Sequence, residues 1–400
     1  MQPVTLTAPR SRALEFGIYR DGDNNLDLSQ SAAIAQALQS SEHDSAVEYT
    51  VENATHLKAD EDGIGVGKLQ TQNFTIADGE VDDVSVGKGA NMASEANLAK
   101  FVSQTLDNAE ASGAKQTWID LVDHGGGDGG GLQTHTGAVM SMPDMAKAIA
   151  DGVALHAKEH PEDAGRNVDG VVANQCLMST LGFADALSSA GVKYLAASPE
   201  TMISPGVPTG VADAIAKDID DPRAMAKDVV NGTMRSGGAA AFDVLDVAPD
   251  KIAAMRTSVK AFNDAAARAT NDPGARAALR DDVRSVEGMA RFPSGKDLPW
   301  RADRPAIAAY DTIAGDARLS DDLRAKASAA GNAVSDLVLA HKESSGYGDF
   351  GGADYRDAVG PTAHLPTTRH QIDPWAPQMR ETDNAFYKAV DGDKLTRALA

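Results

Sequence analysis

The stretch VVANQCLM, residues 171–178, carries the single cysteine of this 400-residue chain, Cys176, just after an apolar run that is typical of a buried β-strand. A second apolar run, in the segment TWIDLVDHGGG at residues 117–127, ends in the same way at His124. The carboxyl ends of parallel strands meet at one edge of a sheet, where α/β proteins place their chemistry. If the two strands are neighbours, spaced about 4.8 Å apart, the thiol and the imidazole can meet as nucleophile and base.

Strand and helix patterns alternate along the first half of the chain. Apolar runs predict strands at 14–19, at 46–51, before His124, before Cys176 and at 191–197, and segments with helical periodicity lie between several of them. Such a β-α-β alternation needs crossover connections, which produce a parallel sheet covered by helices. Residues 57–90 are rich in glycine and aspartate, and we interpret them as loop or a short hairpin.

Composition divides the chain into four segments. We expect a flexible N-terminus over 1–13 and a core that contains both candidate catalytic residues over 14–248. Residues 249–345 are rich in alanine, arginine and aspartate at helical spacing, which predicts a helical region packed on that core. A closing strand and a C-terminal helix of the same domain are expected over 346–400.

The charge and the cysteine content limit the classes of partner and compartment. A net charge of -21 argues against nucleic acid and against anionic membranes as partners. The chain has no apolar run approaching the roughly 18 residues of a membrane span and no apolar core of a signal peptide near its start. One cysteine forbids an internal disulfide and fits a reducing compartment. We therefore expect a cytoplasmic protein, while export without a cleaved signal stays open.

Four segments, taken together and in this order, resemble the clostripain family of cysteine peptidases in the caspase-like clan. They are the turn DGDNNL at 21–26, the motif DHG at 123–125, the motif CLM at 176–178 and the segment YLAASPET at 194–201. The resemblance implies an α/β fold with a caspase-like, mostly parallel β-sheet flanked by helices, to which this chain adds a helical region. It also implies a cysteine endopeptidase that acts on a protein or peptide, with Cys176 as nucleophile and His124 as general base and acid.

Several neighbouring residues are candidates for supporting roles. The backbone N–H groups of Gly125 and Cys176 would form an oxyanion hole. The candidates for substrate binding are Asn174, Asp21, Asp23 and Glu200. The remaining histidines, with His135, His156 and His160 among them, are interpreted as surface residues. The Cys–His chemistry needs no cofactor, and the calcium dependence of the family leaves calcium as a candidate cofactor without an assigned site.

Asn174 departs from the family pattern. The family usually has aspartate at this position, two residues before the cysteine, where its carboxylate pairs with a basic P1 residue of the substrate. A neutral amide lacks the carboxylate that arginine prefers, so the preference for basic P1 residues is in doubt here. Two alternatives therefore accompany the peptidase: a catalytically impaired, peptidase-like binding module, and a non-peptidase acyl-transfer enzyme with the same Cys–His dyad.

Overall fold

The structure is a computed structural model that describes residues 11–43, 46–59, 65–203, 206–291, 299–344, 354–368 and 385–399. The strands in these ranges are β1 (Leu14–Asp21), β2 (Val47–Ala59), β3 (Gly65–Ala77), β4 (Glu80–Lys88), β5 (Gln116–Val122), β6 (Gly170–Asn174), β7 (Tyr194–Ala197), β8 (Ala241–Asp246), β9 (Asp303–Pro305), β10 (Val338–Glu343) and β11 (Thr362–His364). The α-helices are α1 (Asp27–Gln30), α2 (Ala32–His43), α3 (Glu95–Ser112), α4 (Met142–Glu159), α5 (Leu181–Ser189), α6 (Val211–Lys217), α7 (Pro222–Ser236), α8 (Pro249–Ala269), α9 (Pro273–Ser285), α10 (Ala306–Gly315), α11 (Asp321–Ser335), α12 (Ala385–Ala389) and α13 (Gly392–Leu399).

The main sheet has nine strands among the described residues, in the order β10-β8-β7-β6-β5-β1-β2-β3-β4. Its centre is parallel, because β2, β1, β5, β6 and β7 all run in the same direction. Antiparallel strands close both sides, with β3 and β4 beyond β2, and β8 and β10 beyond β7. The predicted α/β architecture with a mostly parallel sheet is thereby confirmed.

The two faces of the sheet bury separate apolar clusters. Successive residues of a strand point to opposite faces, and along β5 the side chains of Ile119 and Leu121 pack with α3, α4, α5 and α8. Trp118 and Val122, which flank these two residues, pack on the other face with α2, α6 and α7. Helices from the alanine-rich region, α8 to α11, join the first cluster, so that region shares its core with the sheet.

The expectation of loop or a short hairpin over residues 57–90 is correct in the hairpin and wrong in its length. The strands β3 and β4 form a long antiparallel hairpin there, and β3 alone has 13 residues. Every residue of β4 is exposed, Val84 and Val86 included. A strand without a buried face shows no apolar alternation toward a core, so periodicity could not separate it from a loop.

The outer segments of the chain are described only in part. The first ten residues of the predicted flexible N-terminus, 1–13, lie outside the described residues. Within 11–13, the guanidinium of Arg12 donates to Asp78 at 2.8 and 3.0 Å. In the C-terminal segment, β11 pairs with β9 in a separate two-stranded sheet, and α12 and α13 follow. No helix in the described ranges is both long and apolar enough for a membrane crossing.

Candidate active site

The strands β5 and β6 bring His124 and Cys176 to the same edge of the sheet. The two strands are parallel neighbours, and Val122 is in register with Asn174. His124 and Cys176 follow these two residues by the same number of positions. The two chain segments stay close beyond the ends of the strands. A Cβ atom added to Gly125 would lie 2.9 Å from the backbone nitrogen of Cys176. The prediction that the two strands are adjacent and parallel is therefore confirmed.

The Cys176 thiol is half-buried and contacts a backbone segment that follows β7. Its Sγ accepts a hydrogen bond from the Met202 N–H at 3.3 Å, and it lies 3.7 Å from the Met202 carbonyl oxygen. Burial is the main cause that raises the pKa of the Cys176 thiol, to about 11. At neutral pH the resting sulfur is thus a protonated thiol, which needs a base before it can act as a nucleophile.

The His124 imidazole is half-buried, and burial lowers its pKa, so the ring is neutral at pH 7. Its Nε2 lies 2.7 Å from Oδ1 of Asn25. When Nε2 carries the proton, it donates to this oxygen, and Nδ1 then keeps the lone pair of a base. Asn25 is not among the site residues predicted from the sequence. Asn25 lies in the turn after β1, and β1 is the strand beside β5. That position could have indicated a contact with His124.

The glycine loop 125–131 folds back on itself next to the cysteine. The Gly126 N–H donates to the Gly130 oxygen at 2.8 Å, and the Gly131 N–H donates to Met140 at 3.0 Å. A Cβ atom at Gly131 would lie 2.8 Å from both polar atoms of the Gln175 amide, which is buried beneath the loop. The backbone of Gly125 therefore packs against that of Cys176. The predicted oxyanion hole, made of the N–H groups of these two residues, needs such a close approach.

Asn174 uses its amide to hold the backbone of the segment after residue 206. Its Oδ1 accepts a hydrogen bond from the Val207 N–H at 2.8 Å, and its Nδ2 donates to the Val207 oxygen at 3.2 Å. The carboxyl of Asp120, on the same face of the neighbouring strand, also lies beside this amide. Burial raises the pKa of Asp120 to about 8, so this carboxyl is mostly uncharged at neutral pH.

Two of the predicted substrate-binding acids are completely buried and bonded to backbone. Asp21 accepts a hydrogen bond from the Asp23 N–H at 2.8 Å, and burial raises the pKa of Asp21 to about 7. Glu200 accepts hydrogen bonds from the N–H groups of Thr201 at 2.7 Å, Ala290 at 2.9 Å and Arg291 at 3.2 Å. Glu200 thereby joins two backbone segments that are distant in sequence, whereas the contact of Asp21 stays within its own turn. A substrate contact by Asp21 or Glu200 stays a prediction.

Asp23 lies instead on a cavity of about 600 Å³ that also includes His124. Its Oδ1 is 2.8 Å from Nδ1 of His135 and 3.2 Å from Nε2 of His56. The cavity is lined by the turn after β1, by the tips of β2 and β3, and by the end of the glycine loop, with the residues Asp23, Asn24, Asn25, His56, Val66, Gly67, Leu69, His124, Gln133, Thr134 and His135. Asp23 is therefore a predicted substrate-binding acid that lines a cavity next to His124.

Comparison with solved structures identifies proteins of the same architecture. An inactive zymogen of a C11 protease from Parabacteroides distasonis is 14% identical in sequence, with a TM-score of 0.64 over 96% of this chain and 99% of that chain. A secreted C11 cysteine protease from Bacteroides thetaiotaomicron, solved with an irreversible peptide inhibitor, is also 14% identical, with a TM-score of 0.64 over 95% and 99% of the two chains. No protein-family model and no curated protein matches the sequence. The resemblance to the clostripain peptidases, the C11 proteases, is confirmed at the level of architecture: this chain has their caspase-like fold.

Proposed function

We propose that the chain is a cysteine endopeptidase in which Cys176 attacks the scissile carbonyl and His124 moves the proton. The observation that carries this proposal is the register of β5 with β6, which brings a thiol and an imidazole to one edge of the sheet. The cavity beside His124 supports a peptide as the substrate, because it extends from the imidazole along the neighbouring strand ends. The shared fold with C11 cysteine proteases supports the same reaction class.

The electrostatics support general-base activation rather than a preformed ion pair. The thiol and the imidazole are both neutral at pH 7, because burial disfavours the charged form of each. In the proposed reaction, Nδ1 of His124 takes the proton as Sγ bonds to the carbonyl carbon. The carbonyl oxygen becomes an oxyanion beside the N–H groups of Gly125 and Cys176. The imidazolium then protonates the leaving amine, and water hydrolyses the thioester.

The rate at which Cys176 reacts with an alkylating agent should show whether its sulfur is a neutral thiol. We expect the rate of Cys176 alkylation by iodoacetamide to rise about tenfold per pH unit from pH 7 to pH 10, because the thiolate fraction grows until the raised pKa is reached. Mass spectrometry of samples quenched at each pH measures the rate. A plateau below pH 7 would instead indicate a thiolate–imidazolium pair in the resting protein.

We further propose that the peptidase prefers substrates with a neutral or polar P1 residue. Asn174 offers no charge, and its amide is already bonded to Val207. The adjacent Asp120 carboxyl is fully enclosed and mostly protonated at neutral pH, so it offers little charge to a guanidinium. A basic P1 residue would therefore lose hydration at this position without gaining a charged partner.

Replacing Asn174 by aspartate should shift this preference. We expect Asn174→Asp to raise the kcat/KM ratio of an arginine peptide over a matched glutamine peptide by an amount worth ~1–3 kcal/mol, the scale of a charge-assisted hydrogen bond. The stability should fall, because a carboxylate oxygen would then face the Val207 oxygen. Asn174→Ser is the control for the lost amide. An unchanged ratio in the folded Asn174→Asp protein would show that another group sets P1 selection.

The impaired binding module remains the second candidate, because the Met202 backbone holds the thiol and the thiol pKa is high. Covalent labelling with a peptidyl acyloxymethyl ketone distinguishes it from an enzyme. An active dyad gives a product attached at Cys176, whereas a binding module gives saturable binding without labelling. Analysis of the products from an unlabelled peptide then separates hydrolysis from acyl transfer to an added amine.

A further inference from the structure

Two histidines and several carboxylates form a cluster at the opposite edge of the sheet from His124. The helix α4 leads from the carboxyl end of β5 to the amino end of β6, so its last turn lies at that far edge. His156 and His160 are one helical turn apart in this part of the chain and lie on the same side. His156 is completely buried, and its interpretation as a surface residue is wrong.

One nitrogen of each histidine faces the same carboxylate oxygen on α3. Nδ1 of His156 lies 2.7 Å from Oδ1 of Asp107, and Nε2 of His160 lies 3.5 Å from that oxygen. The two rings are nearly parallel, at 15° and with centroids 5.0 Å apart. In a tetrahedral zinc site with bonds of about 2.0–2.2 Å, ligand atoms lie roughly 3.3–3.5 Å from one another. The distance from His160 to Asp107 has this value, while the shorter distance from His156 to Asp107 would have to lengthen. One ligand atom from each of the three residues lies within 4.8 Å of the other two, so small side-chain movements would form the site.

The second nitrogen of each histidine also faces a carboxylate. Nδ1 of His160 lies 2.7 Å from Glu110, and Nε2 of His156 lies 3.4 Å from Asp163. Histidines that bind a metal through one nitrogen usually donate their other N–H to a carboxylate, which fixes the ring and its tautomer. Both histidines therefore have the pair of contacts that a metal ligand has.

The charge around the rings favours a divalent cation. Asp107, Glu110, Glu162 and Asp163 all lie within 4 Å of a histidine nitrogen, while Arg166 pairs with Asp163. Four carboxylates against one guanidinium leave an excess of negative charge at a partly buried place. Imidazole ligands select zinc and similar transition metals over calcium and magnesium, which prefer oxygen ligands alone.

We propose that Asp107, His156 and His160 bind a zinc ion or a similar divalent transition metal, with water as the fourth ligand. The ion would join α3 to α4 and hold the turn that leads into β6. The metal site is distant from the proposed peptidase site, and its role would be structural. The competing explanation is that the histidines and the carboxylates contact only one another, without a metal ion.

Zinc titration of the Cys176→Ala full-length chain tests the site, since this background removes the thiol as an alternative ligand. After dialysis against EDTA, calorimetry should show one tight equivalent of zinc, and zinc should raise the Tm. Cobalt at the same site should give the visible absorption of a tetrahedral ion. We expect His160→Gln to weaken zinc binding at least tenfold. If that variant does not fold, Asp107→Asn should give the same loss.

The matched control is His135→Gln, which removes an exposed histidine that also contacts a carboxylate. This control should bind zinc as the parent does. Absence of zinc binding and of any zinc-dependent Tm change in the parent would show that these side chains contact only one another, and would overturn the proposal. Equal binding by the parent and by folded His160→Gln or Asp107→Asn would overturn it too. A loss confined to His135→Gln would locate the metal beside Asp23 instead.

Discussion

Replacing Cys176 by alanine is expected to abolish peptide hydrolysis while leaving the chain folded. The proposed mechanism has no second nucleophile, because Cys176 is the single cysteine. Loss of a member of a catalytic unit typically lowers kcat by about 10⁴-fold or more. The thiol is half-buried beyond the end of β6, outside the two large apolar clusters, so its removal leaves only a small cavity.

The measurement is kcat/KM on the best substrate of a peptide library, together with thermal unfolding of each variant. His124→Ala should cause a loss of similar size, because the neutral thiol then has no base. Cys176→Ser is the conservative control, and its weakly acidic hydroxyl should not restore the rate. Cleavage by pure Cys176→Ala at a rate near that of the wild type would contradict the assignment of the nucleophile.

Replacing Gly125 by alanine is expected to lower kcat by about 10²–10³-fold, the cost of losing one donor of an oxyanion hole. The added methyl group would collide with the Cys176 carbonyl oxygen and would lie 2.8 Å from the Gln175 Cβ. Both contacts involve groups that cannot rotate away, so the loop or the cysteine must shift. Such overpacking also costs about 1–3 kcal/mol of stability.

A matched glycine separates the local effect from a general one. A Cβ atom at Gly315 would point into open space, and Gly315→Ala should leave kcat unchanged without lowering the Tm, because alanine favours a helix more than glycine does. In Gly125→Ala, KM should change less than kcat, because the expected damage is to the reacting groups rather than to the cavity. Wild-type kcat in this variant would show that the close approach of the two backbones is not needed for catalysis.

The parts of the site that could be predicted share a local cause. Each of the two central strands is an apolar run followed at once by a chemically reactive residue, and both features are visible within about ten residues of sequence. Parallel sheets align their carboxyl ends, so the placement of His124 and Cys176 at one edge of the sheet followed from the fold class. Asn25 could be found only as part of a turn, since its contact with His124 joins residues far apart in the chain.

The sequence by itself determined the α/β class and the positions of His124 and Cys176 just after two strands, because periodicity and strand-end position are local properties. The tertiary structure alone decided that Asn174 is bonded to Val207 and that Glu200 holds the backbone of Ala290 and Arg291. It also decided that His156 is buried against Asp107. These contacts join residues that are distant in sequence, and burial of a polar side chain depends on what packs over it, which no local pattern encodes.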